Sequence, residues 1–299
     1  MQKLRHAPIV IAVVLLLALT VCGSFWDLEI AQAVYLGETP AENLFGIIFS
    51  FIGIIPTFVG WSFLGASIFY LSKTQIANTK RRRWLMAFAV LLCVLSFFYF
   101  CNTLYLSNAN AFEVHFVVAY GVGLAVLFAA AYLGYLLSAR SKNSELLKKV
   151  LFLAVVSLVV LLLISSTKQI MCRPRFRFVL AMEDESLFCN WWQSGRARKE
   201  SLGIGATNDE FTSLPSGHSA YSMFAIFLFP ALADYVDGLK KYRGYLFGLG
   251  FLWWAATALS RLTIGAHYLT DVTIAGLVTM LACLIVSAGK KLICKHEKT

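Results

Sequence analysis

The chain is organised as long apolar stretches separated by short polar segments. Eight stretches are apolar enough to form membrane-spanning helices, because about 20 apolar residues cross the roughly 30 Å hydrocarbon core of a bilayer. They lie at residues 8–24, 46–72, 84–106, 114–138, 150–167, 217–234, 244–262 and 269–288. The pattern predicts an all-α fold, a polytopic membrane helix bundle of about eight transmembrane helices.

Composition agrees with a membrane protein and excludes a soluble globular one. Hydrophobic residues make up 59% of the 299 residues and charged residues only 14%, whereas soluble domains carry about 25% charged residues. The sequence shows no internal repeat, no low-complexity tract and no second, soluble domain. A single integral membrane domain over residues 1–299 is therefore predicted.

The basic residues predict an orientation. If the N-terminus is cytoplasmic, 18 of the 26 Lys and Arg residues fall on the inner side. The other eight are Lys168, Arg173, Arg175, Arg177, Arg196, Arg198, Lys199 and Arg261. The positive-inside rule then predicts a multi-pass protein of a bacterial cytoplasmic membrane with both termini in the cytoplasm. The net charge of +10 follows from this topology, so no nucleic-acid partner is predicted. Cleavage of the first stretch as a secretory signal is an alternative that leaves these eight residues on the outer side.

Three polar clusters interrupt the apolar pattern, all on the predicted outer side. In the first, Lys168 and Arg175 are seven residues apart, which is about two helical turns, so on a helix both would face one side and could grip a phosphate group. Cations that snorkel from the end of an apolar helix would leave the same pattern.

The second cluster is Pro215-Ser216-Gly217-His218, directly before an apolar run. This position predicts a helix start, where backbone N–H groups favour an anion, Ser216 adds a hydroxyl, Gly217 allows close approach and His218 could donate a proton. Ordinary helix-start chemistry explains the first three residues equally well.

The third cluster runs from Ser260 and Arg261 through His267 to Asp271. His267 and Asp271 are one helical turn apart, so the carboxylate can orient the ring and leave its other nitrogen free to attack phosphorus. A plain ion pair at a helix end is the alternative. Three such clusters on one side of a membrane favour a phosphate-processing site, because ionisable groups near a bilayer are costly.

Together the clusters resemble the signature of the type 2 phosphatidic acid phosphatase superfamily, which shares its core with vanadium haloperoxidases and glucose-6-phosphatase. The family pattern is K-x6-R-P, P-S-G-H and S-R-x5-H-x3-D; the chain departs from it at Phe176, where the family has proline. A register using Arg173-Pro174 restores the proline and breaks the spacing, so Arg173 is an additional helper candidate. The resemblance covers roughly residues 150–288.

The resemblance implies a role for each motif residue. His267 would be the nucleophile that forms a phosphohistidine, Asp271 would orient it, and His218 would protonate the leaving group. Lys168, Arg175, Ser216, Gly217 and Arg261 would hold the phosphoryl oxygens. Family members need no metal and no cofactor, and the chain shows no zinc-ligand spacing. A six-helix phosphatase-type core is usual, so the N-terminal helices, roughly residues 1–110, would include an accessory pair.

The function implied is a membrane lipid phosphate or diphosphate phosphatase acting at the extracytoplasmic face. Its partners would be the bilayer and a phosphorylated lipid such as undecaprenyl diphosphate, phosphatidate, phosphatidylglycerol phosphate or lipid A phosphate, and the sequence does not choose among them. Two alternatives stay open: a phosphotransferase that uses the same phosphohistidine, and a non-catalytic lipid-phosphate binder or transporter. Protein partners are not indicated.

Cys172 and Cys189 share the long polar stretch between the first two clusters. An extracytoplasmic compartment would permit a disulfide between them. Sequence does not give the separation of their Cα atoms, so a disulfide and two free thiols are both open.

Overall fold

A computed structural model describes residues 7–109, 116–141, 143–202 and 208–296, and these ranges contain helices and no strand. The longer helices are α1 (Ala7–Val34), α2 (Leu44–Ile52), α3 (Ile55–Gln75), α4 (Thr79–Ala109), α5 (Phe116–Arg140) and α6 (Leu146–Met171) in the N-terminal half. They continue with α7 (Phe176–Ala181), α8 (Arg196–Ser201), α9 (Gly217–Met223), α10 (Ala225–Ala231), α11 (Arg243–Thr263) and α12 (Leu269–His296). The predicted all-α fold is confirmed.

Five segments of the described chain are long and apolar enough to cross a membrane. They are Pro8–Val34, Leu44–Gln75, Thr79–Asn102, Tyr120–Arg140 and Leu146–Ala181. These five correspond to the first five predicted stretches and make the chain a multi-pass membrane protein; the prediction of eight spans is wrong. Lys3, Arg5, Lys142 and Lys298, which contributed to the predicted orientation, lie outside the described residues, as do residues 114–115 of the fourth stretch.

The last three predicted stretches are not among these five spans. The sixth, 217–234, breaks into the seven-residue helices α9 and α10, the second of which contains Pro230. The seventh forms α11, a 21-residue helix that does not reach the apolarity of a span. The eighth lies in α12, and the apolar part of this helix whose side chains the structure describes is Leu269–Ile285. Much of this part is buried inside the protein.

The chain forms two compact units. The first comprises the described residues of Met1–Ser50, Val159–Met223 and Trp254–Thr299, and the second comprises those of Phe51–Leu158 and Phe224–Trp253. In the second unit α3 packs against α4 and α5. Polar side chains tie these apolar helices together: Trp61 Nε1 donates to Ser157 Oγ at 2.7 Å, and Ser62 Oγ donates to Ser96 Oγ at 3.0 Å.

The first unit contains all three polar clusters. Its helices α1 and α12 pack along each other, and α9 packs against α12. Thr279 Oγ1 donates to the Ala220 carbonyl at 3.1 Å, and Ser219 Oγ donates to the Val272 carbonyl at 2.7 Å. Because α9 carries the second cluster and α12 begins at the third, this packing places the two clusters next to each other.

Candidate active site

The first cluster lies at a sharp change of chain direction. α6 ends at Met171, just after Lys168, and Cys172 adopts the left-handed conformation with φ 46°. Arg175 is extended and precedes α7. Helix α6 stops here because residues before a proline, here Pro174, are disfavoured in helical conformation. The expectation that Lys168 and Arg175 share one helix face is therefore wrong.

Phe176 occupies the first position of α7, where the family pattern has proline. Proline suits this helix position because its missing N–H would have no partner there. Phe176 is only 3% exposed, and its ring contacts Tyr35 at 5.6 Å and Tyr268 at 6.2 Å between centroids. The departure from the family pattern thus fills an aromatic core and keeps Arg175 at the helix start.

Lys168 and Arg175 are both partly exposed and both contact the loop before the second cluster. Lys168 Nζ donates to the Thr212 carbonyl. Arg175 Nη2 donates to Asp209 Oδ1 at 2.9 Å and to Thr212 Oγ1 at 3.2 Å. Arg175 Nε is buried and finds no acceptor among the described residues. A buried charged donor without a partner is costly, so Arg175 Nε is a candidate donor to a bound anion.

The second cluster begins α9, as predicted. Ser216 is fully buried; its Oγ accepts from the Ser219 amide at 3.3 Å, and its own amide donates to the Asp271 carbonyl at 3.1 Å. Gly217 is partly exposed, and a Cβ atom built on it would lie 3.9 Å from Lys168 Cε. The missing side chain therefore leaves room beside the Lys168 cation.

His218 is held by α2 through its ring Nε2, which lies 3.1 Å from the Ser50 carbonyl. A carbonyl only accepts hydrogen bonds, so Nε2 carries the proton and Nδ1 of the neutral ring is left unprotonated. Burial and the positive charge of Arg261 lower the pKa of His218 well below its usual value.

Arg261 also contacts Ser50, because its Nη2 donates to Ser50 Oγ. It is 4% exposed, and its Nε has no acceptor among the described residues. No carboxylate in the described part of the chain forms an ion pair with it. Burial lowers the pKa of Arg261 to about 9, which leaves a buried guanidinium that is still charged at neutral pH.

A tight turn places His267 between α11 and α12. Gly265 has φ +64°, and a Cβ atom on it would lie 3.1 Å from the Arg177 amide. That amide donates to the Gly265 carbonyl at 2.8 Å. Glycine is needed at this position because its backbone conformation and the close approach both exclude a side chain.

The ring of His267 is fixed by a backbone carbonyl. Its Nδ1 lies 2.6 Å from the Ser213 carbonyl, so Nδ1 carries the proton and Nε2 has a free lone pair. Asp271 Oδ2 is 3.8 Å from Nδ1, which is longer than a hydrogen bond. Burial lowers the pKa of His267 to about 3, so the ring is neutral at physiological pH.

Asp271 orients His267 through the residues around it. Its Oδ2 accepts from Ser213 Oγ at 2.5 Å and from the Tyr268 amide at 2.8 Å. It thus fixes both the residue whose carbonyl binds the ring and the residue that follows the ring. Ser213 was not singled out from the sequence, because no motif includes it.

Arg173, the additional helper candidate, directs its donors to protein acceptors. It is fully buried, and all three guanidinium nitrogens donate to protein acceptors. Nη1 donates to Asp271 Oδ1 at 2.6 Å, Nη2 to Asp27 Oδ2 at 2.9 Å and Nε to the Cys189 carbonyl at 2.8 Å. Arg173 therefore holds Asp271 in position through its Oδ1 atom.

Cys172 and Cys189, the two candidates for a disulfide, are both buried free thiols. Cys172 Sγ donates to the Gln169 carbonyl at 3.3 Å, and Cys189 Sγ donates to the Leu187 carbonyl at 3.6 Å. Burial raises the pKa of Cys189, which disfavours the reactive thiolate.

The candidate residues converge within the first compact unit. His267 lies close enough to Lys168 and Arg175 to feel their charges, and His218 lies in the same way close to Arg261 and Lys168. Three cations thus surround two neutral histidines. Within the described residues, no group of three or more His, Cys, Asp or Glu side chains is arranged to hold a metal ion.

Comparison with models of protein families matches residues 145–291 to the PAP2 superfamily. The matched region contains all three clusters. Neither the curated proteins nor the solved structures gave a match.

Proposed function

Since this multi-pass membrane protein belongs to the PAP2 superfamily through its domain at residues 145–291, we propose that it is a lipid phosphate phosphatase. The observation that supports this most strongly is a candidate nucleophile in the same group of residues as two buried cationic donors. His267 presents an unprotonated Nε2, while the Nε donors of Arg175 and Arg261 are buried and have no acceptor in the described chain. A phosphoryl group would satisfy both donors.

The proposed reaction has two steps. Nε2 of His267 attacks phosphorus, the bond from phosphorus to the lipid oxygen breaks, and His218 gives that oxygen a proton. Water then attacks the phosphohistidine and gives a proton to His218, the phosphorus–nitrogen bond breaks, and inorganic phosphate leaves with the water oxygen. Lys168, Arg175, Arg261, Ser216 and Gly217 would surround the phosphoryl oxygens, where fixed donors stabilise the developing charge.

The negative charge of a bound substrate would allow His218 to take up the proton that it must donate. Its pKa is lowered by burial and by Arg261, so the resting ring is neutral and a poor acid. A bound phosphate dianion offsets the charge of Arg261 and raises the pKa of His218. With Nε2 held by Ser50, Nδ1 is the nitrogen that would take up a proton and pass it to the leaving oxygen.

A phosphotransferase would use the same intermediate and differ only in the acceptor. A non-catalytic binder would need the cations but not a neutral, oriented His267. The fixed tautomer of His267 therefore favours catalysis over binding alone, and product analysis with and without a lipid or sugar acceptor separates hydrolysis from transfer.

Lipid phosphates are the proposed substrate class because the cations lie directly beside apolar helices. Lys168 follows the apolar run of α6, and Leu162 and Leu163 in that run are exposed on the protein surface. A headgroup can reach Lys168 and Arg175 while its hydrocarbon tail stays along such a surface. Monoesters and diphosphates both fit this chemistry.

We expect purified protein in detergent to release phosphate from at least one member of a panel of lipid phosphates, with EDTA present. Fixed cations take the place of a metal in this site, so activity should persist after chelation. Millimolar vanadate should inhibit the enzyme, because it forms a five-coordinate mimic of the transition state on a histidine nitrogen. The control is His267→Ala protein purified in parallel. Activity that vanishes with EDTA and returns with a divalent ion contradicts the proposal.

We also propose that the site faces the extracytoplasmic side and that the N-terminus is cytoplasmic. With five spans, this orientation places the segment between the fourth and fifth spans inside and the segment after the fifth span outside. Ser144 and Ser194 lie in these two segments, and both are exposed. In intact cells an impermeant thiol reagent should label Ser194→Cys but label Ser144→Cys only after the membrane is opened. The unaltered chain, with its seven cysteines, sets the background. The reverse labelling would place the site in the cytoplasm.

A further inference from the structure

Helix α1, far from the motifs in sequence, contributes a buried carboxylate behind the candidate site. Asp27 is 3% exposed, although it belongs to a candidate membrane span. A carboxylate in such a helix is costly unless it is paired. Asp27 lies next to Trp26, whose φ −132° and ψ 27° interrupt the helical backbone of α1.

Asp27 makes two kinds of contact with the motif regions. Its Oδ2 accepts from Arg173 Nη2 at 2.9 Å and from the hydroxyl of Thr270, and its Oδ1 accepts from the Thr270 amide at 3.0 Å. Thr270 is the second residue of α12. Asp27 therefore caps the helix that carries Asp271, where a negative charge is favoured by the helix dipole.

Arg173 connects Asp27 to Asp271. Its guanidinium bonds both carboxylates and stacks on the ring of Tyr268 at 4.2 Å. Asp271 then holds Ser213 and the Tyr268 amide, and the Ser213 carbonyl holds the His267 ring. A continuous series of hydrogen bonds thus runs from Asp27 in α1 to Nδ1 of His267, the ring nitrogen opposite the attacking Nε2.

The backbone of α1 is shaped for this contact. A Cβ atom on Gly23 would lie 2.9 Å from Asp27 Oδ1 and 3.2 Å from the Thr270 amide. Any larger residue would push the carboxylate away from α12. Only glycine lets α1 approach the start of α12 this closely.

We propose that Asp27 is a positioning residue for the phosphoryl-transfer site, acting through Arg173 and Thr270 to fix Asp271 and the ring of His267. This rests on the proposed function, because the step that it supports is the attack by His267. It also assigns a part in the site to α1, for which the family resemblance implies only an accessory place.

The test compares Asp27→Asn with Gln32→Ala in full-length protein. Gln32 lies on the same helix and donates to Glu185 at 2.8 Å, away from Arg173. With phosphatidate in mixed micelles, or the best substrate of the panel, Asp27→Asn should lower kcat by roughly 10- to 100-fold, as loss of an orienting outer partner does, with KM nearly unchanged. Gln32→Ala should leave both constants close to those of the unaltered protein.

Gly23→Ala is the second variant, because it displaces Asp27 without removing any charge. Like Asp27→Asn, it should lower kcat. If Asp27→Asn does not fold, Gly23→Ala decides the question. A folded Asp27→Asn protein with unaltered kcat, or with a change confined to KM, would falsify the positioning role.

A second measurement does not depend on turnover. The rate at which diethyl pyrocarbonate modifies His267, followed by mass spectrometry, reports how firmly the ring is held. It should rise in Asp27→Asn and stay constant in Gln32→Ala. If the unaltered protein hydrolyses no substrate but the modification rate of His267 still rises in Asp27→Asn, the proposed function fails and the positioning role stands. If the modification rate is the same in Asp27→Asn, Gln32→Ala and the unaltered protein, the positioning role is wrong.

Discussion

His267→Ala should abolish turnover while the protein still inserts and folds. The substitution removes the only atom proposed to bond to phosphorus, and loss of a nucleophile in a comparable covalent mechanism costs about 10⁶-fold in kcat. We expect phosphate release to fall by at least about 10⁴-fold, with no labelled phosphoenzyme after acid-free denaturation. Thermal unfolding should change little, because the neutral ring makes a single hydrogen bond within the described residues, to the Ser213 carbonyl.

The matched control is His296→Ala, a histidine outside the three motifs. It should retain the activity of the unaltered protein, which shows that losing a histidine is not itself harmful. Activity of His267→Ala within about tenfold of the unaltered protein would remove the nucleophile role. A phosphoenzyme that persists in His267→Ala would assign the nucleophile to another residue.

The local parts of the site could be predicted from the sequence. His267 and Asp271 lie four residues apart where the chain enters α12, and the start of α9 at Gly217 follows from Ser216 at its N-cap. Such contacts depend on spacings of three or four residues. Arg175 does not share a helix face with Lys168, as the spacing predicted, because α6 ends before it. Both residues contact Thr212 because the chain turns at Cys172.

The supporting residues could not be predicted, because they come from distant segments without a motif. Asp27 lies 146 residues from Arg173, and Ser50 lies 168 residues from His218. The signal that could have found Asp27 is its position: α1 continues to Val34, so the carboxylate belongs to an apolar helix and requires a partner.

The error in the number of spans has a related cause. Apolar content does not distinguish residues that face lipid from residues that pack inside a protein. In α12, Val272, Ala275 and Met280 are buried within the structure, so their apolarity reflects core packing. A window of hydropathy counts both kinds equally, so it does not distinguish the buried part of α12 from a lipid-facing span.

Arg261→Met should destroy activity without destabilising the protein. Arg261 is buried and charged, and no carboxylate pairs with it in the described residues. Its Nε is buried without an acceptor among the described residues, and a phosphoryl oxygen is the acceptor that we propose for it. Removing one fixed donor from a transition state costs roughly 10²- to 10³-fold, or about 2.7–4 kcal/mol. We expect kcat/KM to fall by that amount.

The unfolding temperature of Arg261→Met should not fall with its activity. An uncompensated buried cation destabilises the folded state, and methionine has a similar shape without the charge. Ser50 keeps a partner in this variant because its Oγ donates to the Gly46 carbonyl at 2.7 Å. Arg261→Met should therefore melt at the same temperature as the unaltered protein or higher, as expected where a site trades stability for function.

Vanadate provides the deciding measurement for Arg261. An anion that binds only the folded state raises its unfolding temperature, so vanadate should stabilise the unaltered protein and leave Arg261→Met unchanged. Arg196→Lys is the control, because Arg196 is exposed and its side chain donates to the Gln169 carbonyl. This variant should respond to vanadate as the unaltered protein does. If Arg261→Met loses stability and activity together and vanadate still stabilises it, Arg261 holds the fold and not the phosphate.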